Sequence, residues 1–327
     1  MKYKVGVFRS TFISKNERLK EKFKSFADGI NKAGDIAFLQ DDLSYKKCDI
    51  AAIFGMVKLE KNNGKKSTLK RHTFKKLVIE KHPGNSIFIF DNPVFRIVGD
   101  PSVDASSYLR LSLNSFLYDD GEFANQNSPS DRWEHLSKRL NLSCKPYRKN
   151  GNHIVLVMQK LFDASLRGVE KDRAINHIKW LNKAISDIRQ NSDRKIEIRP
   201  HPLSWKSDAE KNILNALDFQ KYKNVEFNPT SSRDIRSSLK DAWACVTYCS
   251  GSAVISLLEG VPVVAYDSGS MASPVASKTA VNINNIKLYD REQWLYDMAY
   301  TQWNSEELRS GKPWLRFKPY LVKSSKY

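Results

Sequence analysis

Short apolar runs alternate along the chain with longer stretches in which apolar residues recur every three or four positions. Runs such as Ile50–Phe54 and Ile154–Met158 are apolar on both faces and contain β-branched residues, which predicts buried strands. The longer stretches Asn16–Ala33 and Asp172–Gln190 have the period of an amphipathic helix. Strands that alternate with helices form parallel sheets covered by helices, so the pattern predicts an α/β fold with doubly wound sheets.

The alternation falls into two halves that meet near Asn150–Gly151. The predicted strands are, in the first half, Lys4–Phe8, Ile36–Leu39, Ile50–Phe54 and Ile87–Phe90, and in the second half Ile154–Met158, Lys195–Arg199, Asn224–Phe227, Ala244–Tyr248 and Pro262–Tyr266. An aromatic-rich helix over Arg291–Trp303 and a basic tail follow. We therefore predict two Rossmann-like domains, 1–150 and 151–290, and a C-terminal crossing helix with its tail, 291–327. This architecture is called GT-B, and its ligands lie in a cleft at the carboxyl ends of the strands.

Basic residues outnumber acidic ones: 54 Lys and Arg stand against 36 Asp and Glu, which gives a formal net charge of +18. Clustered ammonium and guanidinium groups concentrate a polyanion near the surface and replace its counterions. The run Val57–His82 contains nine basic residues and two acidic ones. The charge therefore favours a polyanionic partner, although a solvated helix face explains such a run equally well.

Several signatures of other protein classes are absent. No Gly-x-Gly occurs, which argues against a dinucleotide-binding fingerprint and a P-loop, and no Asp-x-Asp offers a carboxylate pair to a divalent metal. The four scattered cysteines fit neither a zinc site nor a disulfide framework, so we expect reduced thiols in a cytoplasm. The N-terminus has no signal-peptide pattern, and no apolar run reaches the roughly 18 residues of a membrane-spanning helix. We expect no metal, no cofactor and no integral membrane contact.

Polar residues follow the strands of the second half, where a doubly wound sheet binds its ligands. Gln159 comes directly after Ile154–Met158. Its side chain is either a ligand contact or a polar strand end that faces water. Arg199 and His201 end the next strand beside two prolines that fix the backbone. This motif predicts a rigid cationic site for a phosphate or a leaving group, with a purely structural histidine as the alternative.

A cluster of small residues follows the fourth strand of the second half. Ser250, Gly251 and Ser252 precede a predicted helix, and free N–H groups at a helix start bind anions. An ordinary N-cap explains one serine but not the whole cluster. Glu259 precedes the turn Gly260–Pro262. Taken alone, this turn indicates only the C-cap of a helix. Taken together with the other three positions, it fits a nucleotide-binding domain.

In the first half, Asp91 stands at the carboxyl end of the apolar run Ile87–Phe90. A carboxylate at this place is able to take a proton from an acceptor hydroxyl. An aspartate that caps the turn at Asn92-Pro93 is the alternative. Arg9 and Ser10, which follow the first strand, are further candidates.

A series of short motifs, in a fixed order, carries a resemblance. The motifs are Asp131-Arg132-Trp133, Gln159 with Asp163-Ala164-Ser165, Arg199-Pro200-His201-Pro202, Ser250-Gly251-Ser252-Ala253 with Gly260-Val261-Pro262, and Gln293-Trp294-Leu295 with Ala299-Tyr300 and Gln302-Trp303. The series resembles a family of phage-encoded GT-B-like DNA glycosyltransferases, distantly similar to capsule-polysaccharide and Kdo transferases with their His-Pro motif. One position departs from the pattern: many relatives have an acidic residue five positions before the glycine of Gly-x-Pro, where this chain has Ile255.

The resemblance implies a glycosyltransferase that takes a sugar from a nucleotide-sugar co-substrate, which we expect to be a UDP-sugar. The donor would bind in 151–290 and the acceptor in 1–150. Because of the charge balance, we expect the acceptor to be a hydroxymethylated base, 5-hydroxymethylcytosine, in double-stranded DNA, in the cytoplasm of a host cell if the chain is phage-encoded. The alternatives are a capsule or lipopolysaccharide (Kdo-type) transferase that rests on anionic lipid, and a non-catalytic nucleic-acid-binding protein on the same scaffold.

The predicted site groups the candidate residues by role. Asp91 and His201 are expected to be catalytic. The expected donor contacts are Gln159, Arg199, Ser250, Gly251, Ser252 and Glu259. The residues expected to hold DNA phosphates, without reading the sequence, are Lys65, Lys66, Lys70 and Arg71.

Overall fold

The fold comprises two α/β units, each built around its own sheet. The computed structural model describes residues 2–11, 17–56, 66–95, 108–160, 163–166, 173–201, 212, 215–217, 221–228 and 234–323, with the backbone alone at 66–69 and 173–176. The first unit consists of Met1–Arg96, Asp104–Arg132 and Tyr296–Tyr327, and the second of Ile97–Val103 and Trp133–Leu295. By contacts, therefore, residues 133–150 group with the second unit and the C-terminal segment with the first. The assignment of an acceptor domain to 1–150 and a donor domain to 151–290 stays a prediction.

The described residues form two sheets, and both confirm the predicted α/β class. The strands are β1 (Lys4–Phe8), β2 (Ile36–Gln40), β3 (Ile50–Phe54), β4 (Ile87–Asp91), β5 (Tyr108–Leu113), β6 (His153–Val157), β7 (Lys195–Arg199), β8 (Val225–Phe227), β9 (Ala242–Thr247), β10 (Val263–Ala265) and β11 (Gln302–Asn304). In the first unit the order is β11-β5-β4-β3-β1-β2, with β1 to β4 parallel, β5 antiparallel to β4, and β11 antiparallel to β5 at the edge. In the second unit the order is β10-β9-β6-β7-β8, and all five strands are parallel. Later strands lie on either side of β1 and of β6, so each sheet is doubly wound.

Helices connect the parallel strands, as the alternating pattern predicts. They are α1 (Glu17–Lys32), α2 (Lys66–Lys81), α3 (Asp131–Arg139), α4 (Arg173–Arg189), α5 (Arg236–Leu239), α6 (Ser252–Leu258), α7 (Glu292–Ala299), α8 (Ser305–Ser310) and α9 (Lys312–Phe317). Within the described part of the chain, none of them combines the length and the hydrophobicity needed to cross a membrane.

Each sheet has its own hydrophobic core. In the first unit, Phe26 of α1 lies between Phe88 and Phe90 of β4, with ring centroids 5.2 and 5.1 Å apart, and all three side chains are fully buried. In the second unit, α4 packs its apolar face on β6 and β7 in a cluster that includes Leu181 and Ile185. These are the faces that the periodicity of the sequence marks as apolar.

The C-terminal segment differs from its prediction. The helix expected over Arg291–Trp303 ends at Ala299, and the residues after it form β11, which pairs with β5. The expected basic tail contains α8 and α9, which are built around Trp314 and Phe317, both fully buried in the first core. The segment was predicted to be a tail because it is rich in basic residues, and that prediction did not take these two aromatic residues into account.

Two glycines allow this segment to pack. Gly311 has φ +82°, in the left-handed region that ends α8 and begins α9. A Cβ atom on Gly29 of α1 would lie 2.0 Å from the carbonyl oxygen of Leu308, so α8 approaches α1 more closely than any side chain at position 29 would permit.

Candidate functional site

The ends of three neighbouring strands bring predicted donor residues to one edge of the second sheet. β6 lies between β7 and β9, and Val157 is in register with Arg199 on one side and with Thr247 on the other. Gln159 and His201 follow the first two of these strand ends, and the loop with Ser250 follows the third. Because the three strands are parallel, these segments leave the sheet at the same edge.

Gln159 joins two of the strand ends through its buried carboxamide. Its Oε1 accepts a hydrogen bond from the backbone N–H of Cys249 at 2.7 Å, and its Nε2 donates to Oγ of Ser165 at 2.6 Å. The Ser165 hydroxyl in turn donates to Oδ1 of Asp163 at 2.8 Å. Because a glutamine carries both a donor and an acceptor, it satisfies both partners at once. This chain of hydrogen bonds fixes the position of the loop that follows β9.

The loop between β9 and α6 is also ordered from within. The Ser250 N–H donates to Oγ1 of Thr247, and the Ser252 N–H donates to Oγ of Ser250, each at 3.2 Å. Ser250 and Ser252 are half-buried, and Gly251 between them is exposed. The Ser250 hydroxyl thus has a local structural role, while Gly251 is exposed, with its carbonyl oxygen accepting from the Val254 N–H at 3.2 Å.

Arg199 and His201 occupy different environments. The Arg199 side chain is buried, and its guanidinium donates to Oγ of Ser238 at 2.7 Å and to the carbonyl oxygen of Asp234 at 3.1 Å. Burial lowers the pKa of Arg199 from its ordinary value, against the opposing charges of Glu197 and Asp234. His201, two residues past that position, is half-buried at the strand end. Arg199 therefore holds α5 and the residue before it in place, and His201 is the member of the pair that lies beyond the sheet.

Glu259 lies at the opposite end of α6 from the serine loop. The seven residues of that helix separate the two places by about 10 Å. The Glu259 carboxylate forms ion pairs with Lys145 and with Arg236, the latter at 3.0 Å. Burial raises the pKa of Glu259, but hydrogen bonds from Lys145 and Arg236 outweigh it and hold the pKa below its usual value of 4.5. The structure does not bring Glu259 together with Ser250.

In the first unit, Asp91 is the last residue of β4 and forms an ion pair. Its Oδ2 accepts a hydrogen bond at 2.6 Å from the guanidinium of Arg110, which is the residue opposite it on β5. The side chains of Asp91 and Arg110 are 20% and 11% exposed. Its Oδ1 accepts a longer hydrogen bond, 3.5 Å, from Nδ2 of Asn92. The carboxylate is therefore held mainly through Oδ2 and is partly exposed at the strand end, as a proton acceptor for a hydroxyl must be.

The predicted DNA-binding residues lie on or before α2. Lys65 lies outside the described residues, and so does the side chain of Lys66. Lys70 is exposed and Arg71 half-buried. Lys75 lies one turn further along α2 and is buried. The run of basic residues around it did not predict that this lysine would differ from its neighbours.

Two of the motifs that carry the resemblance meet inside the first unit. The Tyr300 hydroxyl donates to Oδ1 of Asp131 at 2.8 Å. The guanidinium of Arg132 lies 3.9 Å from the centre of the Trp303 ring and forms an ion pair with Glu307 at 2.6 Å. These motif residues therefore attach the C-terminal segment to the start of α3, a structural role that motif spacing alone did not indicate.

Arg110, the partner of Asp91, is a candidate site residue that the sequence pattern did not predict. Arg110 lies in β5, in a region where the apolar pattern is weak and no strand was predicted. Only the antiparallel register of β4 and β5 brings it opposite Asp91. Within the described residues, no group of three or more His, Cys, Asp or Glu side chains is arranged to hold a metal ion.

No protein-family model and no curated protein matches the chain. Among solved structures, the β-Kdo 2,4 transferase of Thermosulfurimonas dismutans KpsC is similar over 91% of this chain and 91% of that chain, with a TM-score of 0.50 and 12% identity. The β-Kdo 2,7 transferase of the same organism's KpsC is similar over 96% of this chain and 99% of that chain, with a TM-score of 0.46 and 15% identity. MurG from Acinetobacter baumannii is similar over 94% of each chain, with a TM-score of 0.29 and 12% identity. The two doubly wound sheets and the first of these similarities together show that the chain has the GT-B fold.

Proposed function

We propose that this protein is a glycosyltransferase that moves a sugar from a nucleotide-sugar donor, a UDP-sugar, to the hydroxymethyl group of 5-hydroxymethylcytosine in double-stranded DNA. The observation that carries the proposal is the ordered loop Cys249–Ser252, which Gln159 holds at the strand edge where His201 also lies. In a GT-B fold, that edge is where a doubly wound sheet binds its ligand.

The donor would bind on the second unit. His201, with the Gly251 N–H and the hydroxyls of Ser250 and Ser252, would face the diphosphate and stabilise the negative charge that grows on it as the sugar bond breaks. Gln159 would position this loop. Arg199 and Glu259 would act indirectly, because their charged groups already hold neighbouring segments of the unit.

The acceptor would bind on the first unit. Asp91 would take the proton of the hydroxymethyl oxygen as that oxygen bonds to the sugar, and the electrons of the broken sugar bond would leave with the nucleotide. Arg110 would hold the Asp91 carboxylate in its reactive orientation through their ion pair. Since the hydroxymethyl group of a stacked base is hard to reach, the target base would leave the duplex.

The formal charge of +18 supports a nucleic-acid acceptor, since phosphate contacts supply most of the non-specific affinity for DNA. Lys70 is an exposed residue able to make such a contact. Lys65, Lys66 and Arg71 complete the proposed phosphate-binding set on the same stretch of chain.

The test is mass spectrometry of nucleosides from a duplex containing 5-hydroxymethylcytosine, after incubation with the protein and a panel of nucleotide sugars. The same duplex with cytosine is the control acceptor. We expect the mass of one sugar to be added to the modified base alone. His201→Ala should slow this transfer by about 100-fold or more, because a charge-stabilising or proton-transferring group is lost. His135→Ala, which changes an exposed histidine on α3, is the matched control.

Three results would contradict the proposal. Transfer to a Kdo-containing glycan and not to DNA would favour the capsule or lipopolysaccharide transferase. Duplex binding without transfer from any donor would favour the non-catalytic binder. Unchanged transfer by the His201→Ala variant would show that the proposed site is wrong.

A further inference from the structure

The donor proposed for the second unit carries two negatively charged phosphate groups, and the strand edge that would bind them needs positive charge. Arg199 is an expected donor contact, but its guanidinium is buried and bonded to Ser238 and to the carbonyl oxygen of Asp234. His201 lies at the edge, and an unperturbed histidine is mostly neutral at pH 7. The two predicted cationic residues therefore leave most of the charge of a diphosphate unbalanced.

Lys160 is a cation at this edge that the proposed chemistry does not use. It lies three residues past Val157, where β6 ends, and β6 is the central strand of the second sheet. Lys160 is exposed, and its ammonium group forms no ion pair or hydrogen bond with the part of the chain that the structure describes. Its positive charge is therefore available to a ligand.

The backbone is fixed on both sides of Lys160. The Met158 N–H donates to the carbonyl oxygen of Arg199 at 2.8 Å, so the segment after β6 stays beside the end of β7. The Asp163 N–H donates to the carbonyl oxygen of Lys160 at 3.2 Å and closes a turn after it. Lys160 thus has a defined backbone position at the edge and a side chain that is free to move.

A side-chain hydrogen bond joins the segment that contains Lys160 to the loop between β9 and α6. Oε1 of Gln159, the preceding residue, accepts from the Cys249 N–H at 2.7 Å. Cys249 is followed directly by Ser250 and Gly251. The ammonium group of Lys160 lies at the end of a flexible four-carbon side chain, so it is able to reach a ligand bound on this loop.

Two acidic residues follow strands at the same edge, and each bonds to its own turn. Oδ1 of Asp163, after β6, accepts from the N–H and the hydroxyl of Ser165 at 3.0 and 2.8 Å. Oδ1 of Asp267, after β10, is buried and accepts from the Gly269 N–H at 2.7 Å. Neither carboxylate forms an ion pair with Lys160. The charge of the lysine therefore stays uncompensated by these acids, which favours an anionic ligand.

We propose that Lys160 binds the diphosphate of the sugar donor, together with the Gly251 N–H and the hydroxyls of Ser250 and Ser252. This inference rests on the proposed function and adds a catalytic residue to it. As the bond from the sugar to the diphosphate breaks, its electron pair stays on a phosphate oxygen, and the ammonium group of Lys160 would neutralise that charge. Its three N–H donors rotate, so they are able to follow the oxygen.

Calorimetric titration with inorganic pyrophosphate, in a buffer without divalent cations, tests the site without requiring transfer. Lys160→Met should weaken pyrophosphate binding by about 10- to 100-fold, as the loss of hydrogen bonds to a charged group predicts. Lys160→Arg keeps the positive charge and should stay within several-fold of the wild type. Lys240→Met is the matched control, because Lys240 is exposed and precedes β9, at the opposite edge of the sheet.

Two further measurements separate binding at this site from a folding defect and from binding elsewhere on a basic protein. The urea unfolding midpoint of Lys160→Met should equal that of the wild type, because an exposed side chain without a partner is removed. Pyrophosphate should slow hydrogen exchange in a peptide that covers Cys249–Ser252 in the wild type, and less so in Lys160→Met. If Lys160→Met and Lys240→Met weaken binding equally, or if the exchange in this peptide does not change, the inference is overturned.

The two proposals fail in different ways. Sugar transfer to 5-hydroxymethylcytosine by a protein whose pyrophosphate affinity does not depend on Lys160 would refute the role of Lys160 and leave the proposed function standing. Pyrophosphate binding that depends on Lys160, in a protein that transfers no sugar to DNA, would support the diphosphate site and refute the proposed acceptor.

Discussion

Gln159 illustrates how one side chain organises the candidate donor site. It lies past the end of β6, and its two polar atoms bond to Cys249 and Ser165, which belong to different segments. In the proposed mechanism its contribution is positional, because the loop it holds, and not the carboxamide, would contact the donor.

We expect Gln159→Met to lose both hydrogen bonds while keeping a side chain of similar length. The loss of the hydrogen bonds to Cys249 and Ser165 should lower the free energy of unfolding by about 1–3 kcal/mol. Displacement of the loop should reduce sugar transfer by about tenfold or more. Urea unfolding and the nucleoside assay measure the two effects, and Gln126→Met, at an exposed position, should change neither. A normal rate of transfer would mean that the loop does not need Gln159.

At the residue scale, the sequence predicted which positions follow strand ends but not what their side chains contact. Gln159 and Ser250 follow adjacent strands, and a hydrogen bond from Cys249 joins their segments, as the parallel topology requires. The side chain of Arg199 is instead buried against Ser238, because the strand places it inside the unit. Spacing along a chain does not reveal on which side of a sheet a helix such as α5 will pack.

Asp35 connects two distant elements of the first unit. It follows α1, and its carboxylate accepts hydrogen bonds from the Tyr3 N–H at 2.8 Å, from Nε1 of Trp314 at 2.7 Å and from Nζ of Lys318 at 2.6 Å. Burial raises the pKa of Asp35, but these hydrogen bonds outweigh it, so the pKa lies below its ordinary value of 3.8. The contact stabilises α9 against the sheet in the ionised form only.

The stability that Asp35 contributes should therefore be present at neutral pH and be lost as the pH falls below about 3.8, through the folded-state pKa. Asp35→Asn should lower the free energy of unfolding at pH 7 by about 2 kcal/mol, since hydrogen bonds to a charged group are replaced by weaker ones. Urea midpoints of the wild type and the variant should approach each other as the pH falls below 3.8 and meet only below the folded-state pKa of Asp35. The control is Asp28→Asn, because Asp28 forms a more exposed ion pair with Lys24. If both variants lose the same free energy of unfolding at pH 7, Asp35 has no special role in stability.

At the element scale, strongly apolar strands were predictable and short amphipathic elements were not. β1, β3 and β7 begin and end where the sequence predicts, because each is a short run with buried apolar residues between polar segments. β11 is three residues long and takes its structure from pairing with β5, a contact between residues far apart in sequence. The pattern of apolar and polar residues within β11 therefore could not predict that it pairs with β5.

The charge of the whole molecule makes a prediction about salt. If the protein binds duplex DNA through about four phosphate contacts, its affinity should fall roughly 100-fold between 50 and 200 mM salt. Fluorescence anisotropy with an unmodified duplex measures this slope. Lys70→Gln should reduce the slope by about one, and Lys240→Gln, an exposed lysine of the second unit, should not. A flat salt dependence would contradict the DNA proposal.

At the scale of the molecule, the fold class followed from the alternation of strands and helices, but the distribution of segments between the units did not. The sequence places the junction near residue 150, whereas the contacts separate the units after Arg132 and return Tyr296–Tyr327 to the first unit. The chain leaves the first unit and later returns to it. The amino-acid composition does not reveal this return, because both units have the same kinds of strand and helix.

The pairing of β11 with β5 has a consequence for biosynthesis. On the ribosome, residues 133–295 are released as one continuous stretch, so the second unit is able to fold as soon as it emerges. The first unit begins earlier but waits, with one side of β5 uncovered, until Gln302–Asn304 and Trp314 have been translated. The half of the protein that is made first is therefore the half that is finished last, and a stalled or truncated nascent chain would expose an open sheet edge to aggregation.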